Sequence, residues 1–310
     1  MFKYIIKRLL IMIPLVIIIS FITFILTHIT NEDPAITILH AQEVPHVTPE
    51  LIAETRAKYG LNDPLLVQYF HWFMDALQFK FGVSYVTGDS VHSRVLPAFI
   101  NTLKLTMVAS VIIILGSIIL GVFTAIMRGR FIDRFVRTIA FILTALPTYW
   151  VASMLIIYVS VKLNLLPTSG LNGPVSYILP VIVLSLAHIG IYFRNVRSAM
   201  IQQLEQDYVT YARACGLDRF TILKRVLRNA MQVAITIFCM SIPTIMSGIV
   251  IIEYIFAWPG LGQLSIKAIL EQDFPIIQAY VLIIAVLFVL FNTIADVINA
   301  ILNPQLRGGI

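Results

Sequence analysis

Charged side chains are scarce in this chain. Aspartate, glutamate, lysine and arginine make up 12% of its 310 residues, whereas a soluble domain carries roughly 25%. Hydrophobic residues account for 59%, and the mean hydropathy is +0.90. So little charge does not cover a water-facing surface, which excludes an ordinary soluble domain. Lipid must therefore be the solvent for much of the chain.

The sequence also lacks the short motifs that carry much enzymatic and metal chemistry. It contains no Gly-x-x-x-x-Gly-Lys-Ser/Thr phosphate loop, no His-Glu-x-x-His zinc motif and no Gly-x-Ser-x-Gly nucleophile turn. Cys215 and Cys239 have no paired spacing, and no two histidines have the spacing of a helical metal site. We therefore predict no catalytic residue, no cofactor and no metal site in this chain.

Six apolar stretches are each long enough, at roughly 20 residues, to cross a bilayer. Helices are expected, because lipid offers no partner to an unpaired backbone group. The first stretch follows Lys3, Lys7 and Arg8 but lacks a small-residue cleavage pattern, so we expect an uncleaved span. The predicted spans are Leu9–Ile29, Pro97–Met127, Thr138–Val161, Tyr177–Arg194, Met231–Ile252 and Pro275–Leu302. The predicted fold class is an all-α integral membrane protein.

The net charge of +6 does not form a single basic patch, so it does not indicate nucleic-acid binding. The basic residues instead flank alternate spans. Arg128, Arg130, Arg134 and Arg137 fill the link between the second and third spans, and more surround the link between the fourth and fifth. The positive-inside rule therefore predicts that both termini are cytoplasmic.

The predicted external loop after the first span, residues 31–96, is long enough to fold in part. Thr48 with Pro49 predicts a helix start, and Gly60 predicts its end. A second helix is predicted from Asp63. Its apolar face consists of Leu66, Phe70, Phe73 and Leu77. We expect the loop to pack on the outer rim of the membrane domain, as a solubilising cap or as a docking site for a partner.

One cytoplasmic segment, residues 198–230, carries the most informative local pattern. A short helix is predicted from Asp207, and Gly216 ends it because glycine tolerates the left-handed backbone of a helix C-terminus. A second, basic helix is predicted from about Asp218. The two helices would meet at a sharp angle and form a compact projection, residues 207–230, which is called the knob below. The knob is either an amphipathic linker on an anionic membrane face or a projection that docks into a groove of another protein. Ala212, Ala214 and Gly216 keep part of the surface small enough for such a groove to approach closely, and Arg213 could pair with acidic groups on the partner.

This segment resembles the EAA loop of ABC-importer permeases, whose short coupling helix docks into the ATPase subunit. The match spans Asp207, Ala212, Arg213, Ala214 and Gly216, followed by Arg228-Asn229-Ala230. Further matches, to the oligopeptide, dipeptide and nickel permease family, run in order along nearly the whole chain. They are Arg8-Leu9-Leu10 with Pro14, Asp33-Pro34-Ala35, Gly60-Leu61-Asn62-Asp63-Pro64, Asn101-Thr102-Leu103, Phe256-Ala257-Trp258-Pro259-Gly260-Leu261-Gly262 and Asp273-Phe274-Pro275. The closing Asn303-Pro304-Gln305-Leu306-Arg307 departs from the family motif at Asn303 and Gln305. Phe81-Gly82-Val83-Ser84 and Ile251-Ile252-Glu253 are most similar to the nickel or metal-chelate branch.

The resemblance implies a type I ABC-importer permease architecture, with about six transmembrane helices and a large first external loop. It implies that nickel or a metal-chelate complex enters a bacterial cell across the cytoplasmic membrane by alternating access, with a dipeptide or oligopeptide as the alternative cargo. The implied partners are a second related permease, two ATPase subunits that bind ATP and Mg, and an extracytoplasmic solute-binding protein. An ion-coupled secondary transporter or a membrane-embedded enzyme is less favoured, since the sequence shows neither clear internal repeats nor convergent catalytic groups.

Two further groups of residues are candidates for functional roles. The resemblance places the turn after the fifth span at the outer mouth of the pathway, although an interfacial tryptophan anchor is an alternative. This group consists of Glu253, Trp258, Pro259, Gly260 and Gly262. In the last span, Asn292, Asp296 and Asn299 share one helix face. That face either lines the pathway or pairs its aspartate with a basic residue of the coupling region.

These expectations divide the chain into four parts. They are an N-terminal segment with the first span (1–30), the external loop (31–96), a five-helix core with the coupling loop (97–303) and a cytoplasmic tail (304–310). Within the core, Pro147, Pro180 and Pro243 are expected to kink or open spans, because proline lacks the backbone N–H that a helix needs.

Overall fold

A computed structural model of the chain describes residues 2–28, 33–42 and 44–302. The predicted tail, 304–310, and Asn303 lie outside these residues. The helices are α1 (Phe2–His28), α2 (Pro34–Ala41), α3 (Pro49–Lys58), α4 (Leu65–Leu77), α5 (Val91–Ile126), α6 (Phe131–Ala145), α7 (Thr148–Leu155), α8 (Ile178–Leu204), α9 (Asp207–Ala214), α10 (Arg219–Ile255), α11 (Leu261–Leu270) and α12 (Phe274–Leu302). A π-helical stretch, Ile156–Lys162, continues α7, and a 3₁₀ turn, Pro174–Tyr177, precedes α8.

The helices confirm the predicted all-α membrane class. Four segments are long and apolar enough to span a membrane unbroken: Leu10–Thr27, Val91–Ile126, Pro174–Leu204 and Phe274–Ile298. Two bent helix pairs raise the number to six if each pair counts as one span. The prediction of about six spans is therefore confirmed at the level of length and composition.

The third predicted span, Thr138–Val161, is not one straight helix. Helices α6 and α7 meet at a bend of 98°. Pro147 precedes α7 and has no N–H to continue the hydrogen bonding of α6, while Leu146 adopts the extended backbone expected before a proline. The expectation that Pro147 interrupts this span is thus confirmed.

The basic helix predicted from about Asp218 is confirmed, and it is continuous with the fifth span. Helix α10 runs through 37 residues, Arg219–Ile255, with Asp218 as its N-cap. The sequence offers neither glycine nor proline before Pro243, so nothing interrupts the helix at the membrane boundary. A bend of 45° separates Arg219–Cys239 from Ser241–Ile255, where Pro243 cannot donate to the carbonyl of Cys239.

One compact unit contains residues 103–258 together with the chain from Phe291. At its centre, α8 packs against α6, α7 and α10. Close approach of α6 and α8 depends on Gly190, where an added Cβ would lie 2.4 Å from Thr144 Cγ2 and 2.9 Å from the carbonyl oxygen of Ala140. Small residues are what allow membrane helices to pack backbone against backbone.

A second compact unit contains residues 2–102 and 259–290. Helix α3 begins at Pro49 as predicted, with the Thr48 hydroxyl accepting the Leu51 N–H at 3.3 Å, and it ends just before Gly60, whose φ is +67°. Helix α4 begins one residue after Pro64. Helices α2 and α11 were not anticipated from the sequence.

The apolar face predicted for α4 is largely exposed and is not the face that packs. Leu66, Phe70 and Leu77 are 66%, 55% and 63% exposed. The packed side is instead centred on Tyr69, whose ring lies edge-on to Phe21 of α1, with ring centroids 5.0 Å apart.

Candidate coupling site and its ion-pair cluster

The short helix predicted within the segment 198–230 is α9, and it ends in a glycine turn, as the sequence predicts. Gly216 has φ +76°. This left-handed residue lets the N–H of Leu217 reach the carbonyl of Ala212 at 3.1 Å, while its own N–H donates to the carbonyl of Arg213 at 3.0 Å. The turn closes the exposed carbonyl end of α9. The chain therefore reverses sharply before α10.

Helix α10 begins with a side-chain cap. An oxygen of the Asp218 carboxylate accepts the N–H of Thr221 at 2.9 Å. Hydrogen bonds from Thr221, first from its side chain and then from its backbone, hold the pKa of Asp218 below its usual range. The carboxylate is therefore ionised at neutral pH, and its negative charge interacts favourably with the positive N-terminal end of the helix dipole.

Helix α9 packs with one face and presents the other. Val209 and Ala212 are 0% and 4% exposed, and the Tyr208 hydroxyl donates to Gln203 Oε1 at 3.1 Å. Ala212 therefore contributes packing inside the unit and offers no surface to a partner. The predicted residues that remain exposed are Asp207, Arg213, Ala214 and Gly216.

Two aromatic side chains on this knob were not singled out from the sequence. Tyr211 of α9 and Phe220 of α10 are 73% and 76% exposed. Helical spacing could have identified Tyr211. Val209 and Ala212 are three residues apart and share the buried face of α9, so Tyr211 lies on the opposite, exposed face. Aromatic residues are the commonest anchors of protein interfaces.

An ion-pair cluster anchors the helix that leads into α9. Asp133 of α6 is fully buried. Arg197 of α8 donates to both of its carboxylate oxygens, through Nε and Nη2, at 2.9 Å each. The N–H of Gly129 donates to the same carboxylate at 3.1 Å, and Arg137 Nε lies 3.3 Å from it. Such bidentate charged hydrogen bonds are strong and fix geometry.

A second ion pair lies closer to α9. Arg128, at the end of α5, pairs with Glu205, the residue that follows α8. Both side chains are more than half exposed, so this pair contributes little stability, about 0–1 kcal/mol. Its place matters more, because Glu205 is two residues before α9. The link between α5 and α6 therefore contacts the end of α8 through this pair, while α6 itself contacts α8 through Asp133 and Arg197.

The predicted outer-mouth residues Glu253 and Trp258 are both fully buried. The Trp258 ring lies edge-on to Tyr177, with centroids 4.6 Å apart, and its backbone N–H donates to the Glu253 carbonyl at 2.8 Å. Trp258 therefore packs inside the protein, which argues against an interfacial anchor. The Phe256 carbonyl accepts the N–H of Gly170 at 2.8 Å, and this hydrogen bond connects the Trp258 turn to the loop that precedes α8.

The predicted outer-mouth residues Pro259, Gly260 and Gly262 lie at the start of α11. Gly260 has no side chain with which to cap this helix. Thr102 Oγ1 instead accepts the N–H of Leu261 at 2.8 Å, and Asn101 donates to the Pro259 carbonyl at 2.9 Å. These contacts give a structural reason for the Asn101-Thr102 motif.

In α12, Asn292 and Asp296 are half-buried, and the side chain of Asn299 lies outside the described part of the chain. Their role stays a prediction. Among the described residues, no three histidine, cysteine, aspartate or glutamate side chains are grouped to hold a metal ion.

Comparison with protein families gives two matches that together cover most of the chain. Residues 117–308 match the family described as "Binding-protein-dependent transport system inner membrane component". Residues 1–106 match the N-terminal model of such membrane components.

Two relatives align over nearly the full length. The metal-staphylopine import system permease protein CntB of Staphylococcus aureus (strain Mu50) is 68% identical over 309 residues, covering 100% of this chain and 99% of that protein. The glutathione transport system permease protein GsiC of Salmonella typhimurium is 34% identical over 308 residues, covering 99% of each. A solved structure of the MetNI methionine ABC transporter has a TM-score of 0.58 and 17% identity, covering 68% of this chain and 96% of that one. This last likeness shows a shared fold.

Proposed function

Because the chain belongs to the family of binding-protein-dependent transport system inner membrane components, we propose that it passes a metal–metallophore chelate through the membrane. The chain is a multi-pass permease subunit of an ABC importer. The proposed cargo is a metal–staphylopine complex or a chemically similar chelate. One observation carries this choice: identity is 68% to the metal-staphylopine permease and 34% to the glutathione permease, each over nearly the full length.

A chelated cargo agrees with the chemistry of the described residues. A metal already held by a small-molecule ligand does not need histidine or carboxylate ligands from the pathway. Free nickel is a weaker proposal, because a bare divalent ion in an apolar pathway requires coordinating groups. A peptide cargo is the alternative that the GsiC relatives favour.

The proposed assembly contains a second related permease, two ATPase subunits that bind ATP and Mg, and an extracytoplasmic solute-binding protein. Both termini and the α9 knob would lie in the cytoplasm. The arginine-rich link between α5 and α6 supports this orientation by the positive-inside rule. The chain itself would hydrolyse no ATP.

In the proposed mechanism, the α9 knob docks into an ATPase subunit. Tyr211 and Phe220 are the anchors, and the exposed Arg213 pairs with acidic groups of that subunit. ATP binding brings the two ATPase subunits together and moves the two knobs. That movement reaches the membrane through α10, which follows the knob directly, and through α8, which Arg197 ties to Asp133. The membrane helices then alternate between outward- and inward-facing states.

The cargo is tested by uptake in cells that lack this chain and in cells with the chain restored. The labelled probes are free nickel, nickel preloaded on staphylopine and a dipeptide. We expect loss of chelate uptake alone, with full recovery on restoration. Dependence of dipeptide uptake alone would refute the chelate cargo and make this a peptide permease.

The docking role is tested with Tyr211→Ala and Phe220→Ala. Each should weaken co-purification of the ATPase subunits by about tenfold or more, since a central aromatic anchor contributes about 2 kcal/mol or more. Chelate uptake should fall with it. Thr210→Ala is the matched control, because Thr210 is exposed on the same helix and lacks an aromatic ring. Normal ATPase binding in both aromatic variants and in Gly216→Pro, at normal expression, would exclude α9 as the docking site.

A further inference from the structure

Helix α4, which the sequence predicts in an external loop, has three chemically different sides. Its packed side is centred on Tyr69 and Trp72, which contact Phe24 of α1 with ring centroids 5.5 and 5.8 Å away. A polar side consists of Gln68, His71 and Asp75. The third side is apolar and largely exposed, and it consists of Leu66, Val67, Phe70, Phe73, Met74 and Leu77. The amphipathic pattern is that of a helix between water and an apolar phase.

Contacts with α1 place α4 at the depth of the membrane. The Tyr69 hydroxyl lies 2.9 Å from Ser20 Oγ and donates to the carbonyl of Ile17 at 3.2 Å. Both partners belong to the apolar segment Leu10–Thr27, and Ile17 is near its middle. Helix α4 is therefore beside the C-terminal half of a membrane span and not beyond its end.

An apolar groove continues the exposed side of α4. It has a volume of about 360 Å³ and is lined by Phe73 and Leu77 together with residues of α1, α5 and α12. Val16, Phe99 and Val286 form walls that belong to three candidate membrane spans. His92 is the one polar side chain among the lining residues of the described chain.

We propose that α4 is embedded in one leaflet of the bilayer, where acyl chains cover its Leu66–Phe70–Leu77 side and enter the groove. Three observations support lipid as the occupant: the depth set by Ile17, the absence of charge from the exposed side, and groove walls built by membrane spans. The polar side with His71 and Asp75 faces the water boundary. Part of the predicted external loop is thus a membrane element, whatever cargo the importer carries.

The test uses the assembled importer, reconstituted in phosphatidylglycerol vesicles that contain phosphatidylcholine with a nitroxide on its acyl chain. Cys215→Ser and Cys239→Ala remove the native thiols. Phe70→Cys, Leu96→Cys and His71→Cys are then labelled one at a time with a bimane fluorophore. Leu96 lines the groove, and His71 is the matched control on the polar side of the same helix.

We expect acyl-chain nitroxides to quench the labels at positions 70 and 96 several-fold more than the label at 71. Aqueous iodide should give the reverse order. Iodide quenching at position 70 equal to that at 71 would overturn the proposal and place α4 in water. Protection of position 70 from both quenchers would also overturn it, and would assign the surface to a second protein such as the partner permease. The readout needs no transport, so it stands apart from the cargo experiment.

Discussion

Asp133 and Asp273 are both fully buried aspartates, yet the two units of this chain stabilise them differently. Asp133 is held by cations, with Arg197 bidentate at 2.9 Å and Arg137 at 3.3 Å. Asp273 accepts hydrogen bonds from neutral groups, the Ser84 hydroxyl and the Tyr85 N–H, the latter at 3.1 Å. Asp133 is thus stabilised by the positive charge of arginine side chains, whereas Asp273 is stabilised by hydrogen-bond donors that a loop holds in place.

The loop of residues 82–91 contacts Asp273, and its own backbone hydrogen bonds hold these donors in position. Ser84 N–H donates to the Asp89 carbonyl at 2.8 Å, and Val91 N–H donates to the Gly82 carbonyl at 3.0 Å. Burial raises the pKa of Tyr85, with further contributions from Tyr59 and Asp273. Tyr85 therefore stays protonated across the physiological range. A buried carboxylate therefore requires either a matching cation or a fixed set of hydrogen-bond dipoles.

Arg197→Ala is expected to have the largest effect on stability. It leaves the Asp133 charge buried without its bidentate partner, which costs about 3–5 kcal/mol. We expect a loss of that size in the free energy of unfolding, measured by denaturant titration of the purified protein in mixed micelles. The double variant Asp133→Leu/Arg197→Met should recover most of the loss, since it removes both charges. Equal instability of the double variant would mean that packing, and not the unpaired charge, is responsible.

Removing the carboxylate in the other unit should have a smaller effect. Asp273→Ala leaves the Ser84 hydroxyl and the Tyr85 N–H without their acceptor, at about 1–3 kcal/mol for an unsatisfied buried group. No buried charge is left behind. The same titration measures it, and hydrogen exchange at Tyr85 should accelerate. Asp273→Asn, which keeps one acceptor oxygen, should lose less, and an equal loss would contradict this account.

The smallest loss of stability is expected for Arg137→Ala. This variant tests whether solvent exposure limits how much an ion pair stabilises the fold. Arg137→Ala removes the second cation from Asp133, but the Arg137 side chain is 45% exposed. We expect about 0–1 kcal/mol in the same titration, because water already screens this charge. A loss as large as that of Arg197→Ala would show that the cluster acts as one unit and that the two arginines are not separable.

Local chemistry explains which parts of the fold the sequence predicts well. Thr48 with Pro49 predicts the start of α3, and Gly216 predicts the end of α9, because each signal acts on its own turn of helix. The continuity of α10 was missed because the change from basic to apolar residues near Ala230 changes the solvent of the helix without interrupting its backbone.

The long-range ion pairs and hydrogen bonds could not be predicted in the same way. Asp133 and Arg197 are 64 positions apart, and Ser84 and Asp273 are 189 apart. No periodicity relates residues at such separations, since helix packing and loop conformation bring them together. The arginines around the α5–α6 link are the basis of the predicted orientation, which stays a prediction, and Arg128 and Arg137 also form ion pairs in the structure. The exposure of Phe220 likewise became evident only in the folded structure.

The unbroken course of α10 has a mechanical consequence. At 1.5 Å per residue, its 37 residues give a contour length of about 55 Å. One end begins at the Asp218 cap beside the knob, and the other ends just before the buried Trp258 turn, with no loop between them to absorb a displacement. The helix is thus a lever whose one compliant point is the bend near Pro243. The stiffness of that bend sets what fraction of a displacement at the knob reaches the Trp258 end.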